Sequence, residues 1–164
     1  MIQITDALVK IHSKNIVHRD LKPANIMLIE KGGNPNFVKL LDFGLAKMEY
    51  QSRITETGMV VGTLSYMAPE QISNSEFSAA SDIFSLGTIF YEMVTGKKPF
   101  PGEVPTELMK KILETDPVPP SNLQVHLPVE LNNLIMKMLQ KNKELRPHVE
   151  VVLSLLRKLH GELN

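Results

Sequence analysis

The sequence predicts a mainly α-helical domain with one small β-hairpin, an α+β class dominated by helices. Two patterns predict this class. Apolar residues recur at helical spacing near the amino terminus and through the second half of the chain. Two short runs rich in strand-forming residues flank a segment of turn residues. The chain has 164 residues, 43% of them hydrophobic, which suits one domain with a buried core.

Helical periodicity marks both ends of the chain. Ile4, Leu8 and Ile11 share one face of the first helix. A serine-aspartate pair at residues 81–82 is typical of a helix start, and Gly96 is typical of a helix stop after the strongly apolar stretch between them. The predicted helices span residues 2–13, 83–94, 105–114, 129–140 and 149–160.

The predicted hairpin pairs two apolar runs, at residues 26–29 and 38–41. Glycine, asparagine and proline at residues 32–36 predict the turn between them, several residues longer than a hairpin needs and therefore interpreted as a surface insertion. Residues 49–63 show no clear period and contain many hydroxyl groups, so we expect a loop there.

Composition excludes several classes of site and partner. Lys plus Arg and Asp plus Glu both number 18, so the net charge of zero gives no sign of a nucleic-acid partner. The absence of cysteine excludes disulfides and thiolate chemistry. No apolar run approaches the roughly 20 residues that span a bilayer, and the first residues do not resemble a signal peptide. We therefore expect no membrane segment in this chain and a cytoplasmic location, although a longer parent protein could be tethered to a membrane.

The residues with the clearest chemistry lie in the sequence HRDLKPAN at residues 18–25. Asp20 is an acid that can accept a proton, and Lys22 is a cation two residues away. Asn25 offers a hard oxygen ligand, as does Asp42 after the second predicted strand, and such ligands suit Mg²⁺. The hairpin leaves from Asn25 and returns to Asp42, so we expect both residues at the same edge.

Three segments in order carry a family resemblance: HRDLKPAN at residues 18–25, DFG at 42–44 and APE at 68–70. They resemble the catalytic loop, the metal-binding loop and the end of the activation segment of a eukaryotic-type protein kinase. Lysine two residues after the aspartate resembles the serine/threonine form. The resemblance implies transfer of the ATP γ-phosphoryl group to serine or threonine hydroxyls of protein substrates, with ATP and Mg²⁺ as cofactors.

The resemblance also implies the roles of the catalytic residues. Asp20 would orient and deprotonate the acceptor hydroxyl, and Lys22 would stabilise the moving phosphate. Asn25 and Asp42 would hold Mg²⁺, with Lys22, Asn25 and Asp42 all facing the nucleotide. Met27 would form the floor under the adenine ring.

Supporting roles follow in the same way for residues around the site. His18 and Phe43, followed by Gly44, would belong to the apolar column that links the two lobes of the family fold. Thr63 would dock the substrate residue and form hydrogen bonds with Asp20 and Lys22. The resemblance further implies an anchor from Asp82 to the catalytic-loop backbone and a buried ion pair between Glu70 and Arg146.

Arg19 precedes the expected base, and in the family this arginine is often balanced by a phosphate on the activation loop. Thr55 and Thr57 are the candidate phosphorylation sites. Their spacing before residues 62–63, together with Phe84 in place of tryptophan, resembles bacterial serine/threonine kinases.

The resemblance spans residues 1–164 and implies the large, carboxy-terminal lobe of a kinase domain. Its expected parts are the catalytic loop at 18–25, the metal loop at 42–44, the activation segment at 42–70 and a helical bundle at 81–162. No glycine-rich loop or phosphate-pairing strand lysine precedes them, so the small lobe is expected to be absent. We therefore expect weak or no turnover from this chain without its missing small-lobe partner.

Two alternatives come from other classes. A truncated, non-catalytic lobe could act as a docking module, although the intact catalytic residues argue against evolved inactivity. A small-molecule phosphotransferase of related fold would usually lack the LKP sequence at 21–23 and the docking segment at 62–70. His12 and the histidines near the carboxy terminus show no metal-ligand spacing, so they are interpreted as solvated or core residues.

Overall fold

The structure, a computed structural model, describes residues 1–41 and 61–162. Within these ranges it is mainly helical and contains one two-stranded antiparallel sheet, so the predicted fold class is confirmed at this level. Short 3₁₀ turns lie at Pro23–Asn25, Pro120–Asn122 and Lys143–Leu145. The elements are α1 (Ile2–His12), β1 (Ile26–Lys31), β2 (Asn34–Leu40), α2 (Val61–Leu64), α3 (Pro69–Asn74), α4 (Ala79–Thr95), α5 (Pro105–Glu114), α6 (Val129–Met138) and α7 (Val149–Glu162).

Helix α4 forms the centre of the core. All of its residues from 81 to 91 are buried, including the large side chains of Phe84 and Phe90. Helix α6 packs closely against α4 because Gly87 has no side chain: a Cβ atom there would lie 2.8 Å from the Cβ atom of Met138. Helix α1 packs against α7 and β2, so the hairpin is fastened to the helical part.

The start of α4 differs from the prediction, whereas its end agrees. The helix begins at Ala79, and its N-cap is Ser78, whose hydroxyl accepts a hydrogen bond from the backbone N–H of Ser81. The pair at 81–82 therefore lies inside the first turn, because the upstream serine already satisfies the free amides. Gly96 ends the helix in the left-handed conformation, with φ 68°.

The hairpin turn is shorter than predicted. Gly32 and Gly33 have φ values of 59° and 78° and close a two-residue connection, so the interpretation as a longer surface insertion is wrong. The residues after the glycines belong to β2, where Pro35 is tolerated because each strand of a two-stranded sheet has an unpaired edge. The register pairs Ile26 with Leu40, with an irregularity between Ile29 and Lys31.

The other predicted boundaries agree closely, with small differences at helix ends. Helix α5 has the predicted bounds, α1 and α6 end one and two residues early, and α7 continues two residues further. Residues 61–63 lie in the helical turn α2, so the loop prediction is wrong there, and the rest of that predicted loop lies outside the described residues. None of the helices in the two described ranges is long and apolar enough to cross a membrane.

Candidate active site

The 18–25 loop is fastened to the central helix by Asp82. The backbone N–H groups of His18 and Arg19 donate to the two carboxylate oxygens of Asp82, at 2.8 and 2.9 Å. Asp82 lies in the first turn of α4 and is only 2% exposed. The anchor that the resemblance implied for Asp82 is therefore present, and it ties the loop to the most buried element of the fold.

His12 adds a third contact to the same carboxylate. Its Nε2 atom lies 2.8 Å from Oδ2 of Asp82, at the end of α1. The side chain of His12 is 8% exposed, in agreement with the core alternative of the prediction, but the contact with Asp82 was not predicted. No spacing in the sequence signals it, because the two residues are 70 positions apart and only the packing of α1 beside α4 brings them together.

Arg19 has a strained backbone that is held on both sides. Its φ is 73°, the left-handed region, which costs a residue with a side chain about 1–3 kcal/mol. Its N–H is bound by Asp82, and its carbonyl accepts a hydrogen bond of 3.1 Å from Nε2 of Gln71. Gln71 is a further residue that the sequence reasoning missed.

Three side chains of the loop form one polar cluster. Nζ of Lys22 lies 2.9 Å from Oδ2 of Asp20. The side-chain Nδ2 of Asn25 donates to the backbone carbonyl of Asp20 at 2.7 Å and to its Oδ2 at 3.1 Å. The carboxylate of Asp20 is thus oriented from two sides while its side chain keeps 21% exposure, which leaves it partly accessible to solvent.

Thr63, near the start of the second described range, joins this cluster through Lys22. Nζ of Lys22 donates to Oγ1 of Thr63 at 3.3 Å, so Thr63, Lys22 and Asp20 form a continuous chain of polar contacts. Helix α2 supplies Thr63, and the buried Leu64 beside it holds that turn against the core. The expected contact between Thr63 and Lys22 is therefore present.

Asn25 is placed to offer an oxygen to a cation. The residue is buried, and its side-chain nitrogen makes both of the bonds to Asp20, so Oδ1 is the atom with which Asn25 can bind Mg²⁺. Its backbone carbonyl accepts a bond of 2.9 Å from the N–H of Leu41, which closes the base of the hairpin. Asn25 therefore offers one amide oxygen of the kind that Mg²⁺ binds.

The other candidate ligand, Asp42, directly follows Leu41 in sequence and lies outside the described residues. Within residues 1–41 and 61–162, no group of three or more His, Asp or Glu side chains could hold a metal. Phe43, Gly44, Thr55 and Thr57 also lie outside the described ranges, so their expected roles stay predictions.

His18 and Met27 occupy different environments around the loop. His18 is fully buried, and burial lowers the pKa of its imidazole, although the charges of Asp82 and Asp20 raise it. The neutral form suits its expected place in an apolar column. Met27 lies on β1 and is 46% exposed.

The expected ion pair between Glu70 and Arg146 is present and has two parallel bonds. Nη1 and Nη2 of Arg146 lie 2.7 and 2.9 Å from the two carboxylate oxygens of Glu70. Ser81 also donates to Glu70, at 2.8 Å. Burial raises the pKa of Glu70, but the hydrogen bonds and charge of Arg146 outweigh burial and lower it overall. The pair fastens the start of α3 beside the loop.

A protein-family model described as "Protein kinase domain" matches residues 1–155. A probable serine/threonine-protein kinase of Clostridium acetobutylicum is 39% identical over 144 residues, covering 88% of this chain and 21% of the relative. The serine/threonine-protein kinase PknB of Mycobacterium tuberculosis is 39% identical over 155 residues, covering 92% of this chain and 24% of the relative.

A probable serine/threonine-protein kinase of Clostridium perfringens is 40% identical over 141 residues, covering 86% of this chain and 20% of the relative. The chain therefore spans about a fifth to a quarter of the length of these curated relatives. All three are bacterial proteins, which agrees with the bacterial resemblance of the sequence. Because the family model matches nearly the whole chain, this protein belongs to the protein kinase domain family.

Proposed function

We propose that these residues form the large lobe of a serine/threonine kinase domain, which transfers the ATP γ-phosphoryl group to serine or threonine hydroxyls of protein substrates. The observation that carries the proposal is the cluster of Asp20, Lys22 and Asn25, with Thr63 bound to Lys22. Phosphoryl transfer depends mostly on positioning and charge stabilisation. In this cluster Lys22 and Asn25 orient Asp20, the proposed proton acceptor, and Lys22 also supplies a positive charge.

Each residue of the cluster has a defined part in this mechanism. Asp20 orients the acceptor hydroxyl and takes its proton. Lys22, held between Asp20 and Thr63, places a positive charge where the phosphate passes. Bound Mg-ATP supplies the phosphoryl group and the metal charge, for which Asn25 and Asp42 are the proposed ligands, and Met27 is the proposed floor under the adenine.

We further propose that activation-loop phosphorylation regulates this site through Arg19. Its Nε atom is buried and has no hydrogen-bond partner among the residues that the structure describes. A phosphate on Thr55 or Thr57 would offer several acceptor oxygens to such a guanidinium group. From membership of the same family we also propose that the protein acts on protein substrates in signal transduction and has a cytoplasmic location.

A second, ATP-covering lobe is part of the proposal. Residues 18–70 hold the candidate base and metal ligands, whereas the family's glycine-rich loop and phosphate-pairing lysine have no match in these 164 residues. We propose that the chain by itself positions the phosphates poorly and turns over weakly or not at all.

The test measures incorporation of labelled γ-phosphate into a generic protein substrate with Mg-ATP. The chain is assayed alone and fused behind the small lobe of a similar bacterial kinase. We expect signal from the fusion, reduced about 10²–10⁴-fold by Asp20→Asn and strongly by Asp42→Asn. Asp6→Asn serves as a control, because Asp6 lies in helix α1 and forms a partly exposed pair with Arg157, not with a residue of the cluster.

Equal phosphorylation by the fusion and by its Asp20→Asn variant would contradict the role of Asp20. Efficient turnover by the chain alone would contradict the need for a second lobe while leaving the role of the cluster intact.

A further inference from the structure

We propose that Gln71 is a positioning residue for Asp20, acting through the backbone of Arg19. The proposal rests on the proposed function, because it concerns the residue that holds the candidate base in place. Gln71 lies in the first turn of α3 and is only 3% exposed. Its role comes from what the two ends of its side-chain amide bind.

The amide of Gln71 bridges two segments of the site. Its Oε1 atom accepts a bond of 2.8 Å from the N–H of Ala68, at the end of the activation segment. Its Nε2 atom donates a bond of 3.1 Å to the carbonyl of Arg19, in the 18–25 loop. One buried side chain therefore connects Ala68, within residues 62–70, to Arg19, the residue before Asp20.

The strained conformation of Arg19 explains why this tie matters. A left-handed residue with a side chain persists only where its surroundings hold it in that conformation. Asp82 of α4 holds the N–H of Arg19, and Gln71 of α3 holds its carbonyl. The carbonyl of Arg19 and the nitrogen of Asp20 belong to the same planar peptide group. The direction of this carbonyl therefore determines the orientation of the Asp20 backbone.

The two bonds of Gln71 can be separated by substitution. Gln71→Glu keeps an acceptor for the N–H of Ala68 but loses the donor to Arg19 when the new carboxyl is ionised. Gln71→Met keeps a similar volume and loses both bonds. Gln140→Glu is a matched control, because the side chain of Gln140 is exposed and, among the described residues, bonds only to the carbonyl of Met136 four residues earlier.

The experiment uses the 164-residue chain and needs no ATP. Backbone amide hydrogen exchange and side-chain amide resonances are measured by NMR at pH 8. In both Gln71 variants the Arg19 carbonyl loses its hydrogen bond, so the backbone of Arg19 is held, among the described residues, only through the bond of its N–H to Asp82. We expect the Arg19 amide to exchange about 3–10-fold faster, a change equivalent to the loss of one hydrogen bond elsewhere in the residue. The Nδ2 protons of Asn25, which bind the carbonyl and carboxylate of Asp20, should shift as Asp20 moves.

A purely structural cap predicts a different pattern. In that case only Gln71→Met would change the exchange of the Ala68 amide, and Arg19 and Asn25 would match the control in both variants. That result, or an unchanged Asn25 resonance in Gln71→Glu, would overturn the proposal. Because the readout is independent of phosphate transfer, failure of Asp20→Asn to reduce phosphorylation would contradict the proposed function separately.

Discussion

Glu70 and Arg146 show how burial changes the value of an ion pair. Their side chains are 8% and 1% exposed, and Arg146 also donates to the backbone carbonyls of Ala80, Gln140 and Lys141. The guanidinium group thereby closes the junction between α3, α4 and the segment before α7. A residue with this many directed bonds has no equivalent substitute, because lysine offers neither the planar fork nor the same number of donors.

We expect Arg146→Met to lower the free energy of unfolding by about 3–5 kcal/mol, because it leaves the buried Glu70 carboxylate without its partner. Urea denaturation followed by circular dichroism measures this change. Arg157→Met is the matched control: its pair with Asp6 is 60% and 36% exposed, so a loss below about 1 kcal/mol is expected. Similar losses in the two variants would contradict the argument from burial.

The ionisation of Glu70 predicts a pH dependence of stability. The pKa of Glu70 is lowered below its ordinary value of 4.5, so the folded state favours the charged form. The resulting stabilisation is complete above pH 4.5 and is lost as the pH falls through the lowered folded value. We expect the stability difference between the unmodified chain and Glu70→Gln to be constant near neutral pH and to shrink below pH 4.5. A difference that stays constant down to pH 3 would show that the charge of Glu70 is not involved.

At the scale of single elements, the ends of α4 depend on local chemistry that a sequence can show. Ser78 caps the start, and Gly96 adopts a left-handed conformation at the end. Space does not explain the glycine, because an added Cβ atom at Gly96 would meet nothing within 4 Å. The requirement is therefore one of backbone conformation alone.

Gly96→Ala should lower the free energy of unfolding by about 1–2 kcal/mol, because alanine pays the left-handed penalty that glycine avoids. Gly161→Ala is the control, since that position also has open space around it but no positive φ. Thermal unfolding of both variants checks this: we expect a lower midpoint for the first and an unchanged or slightly higher one for the second. Equal midpoints would show that the cap has little influence on stability.

At the scale of the whole molecule, Asp82 connects parts that are distant in sequence. It links the end of α1 through His12, the 18–25 loop through two backbone amides, and the core through its own place in α4. The stability of the helical core and the shape of the candidate site are therefore coupled at one carboxylate.

Asp82→Asn should cost about 3 kcal/mol, because the amide can accept at only one of its two ends and loses the charge that strengthens the bonds. Relative to the unmodified chain, the backbone amides of His18 and Arg19 should show a larger increase in hydrogen-exchange rate than amides elsewhere in the fold. Asp6→Asn, at an exposed pair, controls for the change of charge. A uniform loss of protection across the chain would contradict a specific tie to the loop.

Much of this architecture was predictable because its signals are local. Helical periodicity predicts the bounds of α5 without error, since one face of that helix must be apolar to be buried. The hairpin was predictable from strand formers around glycines, but its turn was not. Two consecutive glycines can close a two-residue turn, and only the pairing of Lys31 with Asn34 shows that they do.

The sequence by itself determined the helical class, the hairpin and the family, because the motifs at 18–25 and 68–70 are short, ordered and specific. The tertiary structure decided which distant side chains hold the site. The contacts of His12 with Asp82 and of Gln71 with Arg19 span 70 and 52 residues, and the close approach at Gly87 depends on a helix some fifty residues away. Periodicity shows which face of an element is buried, but the partner on that face depends on how the elements pack in three dimensions.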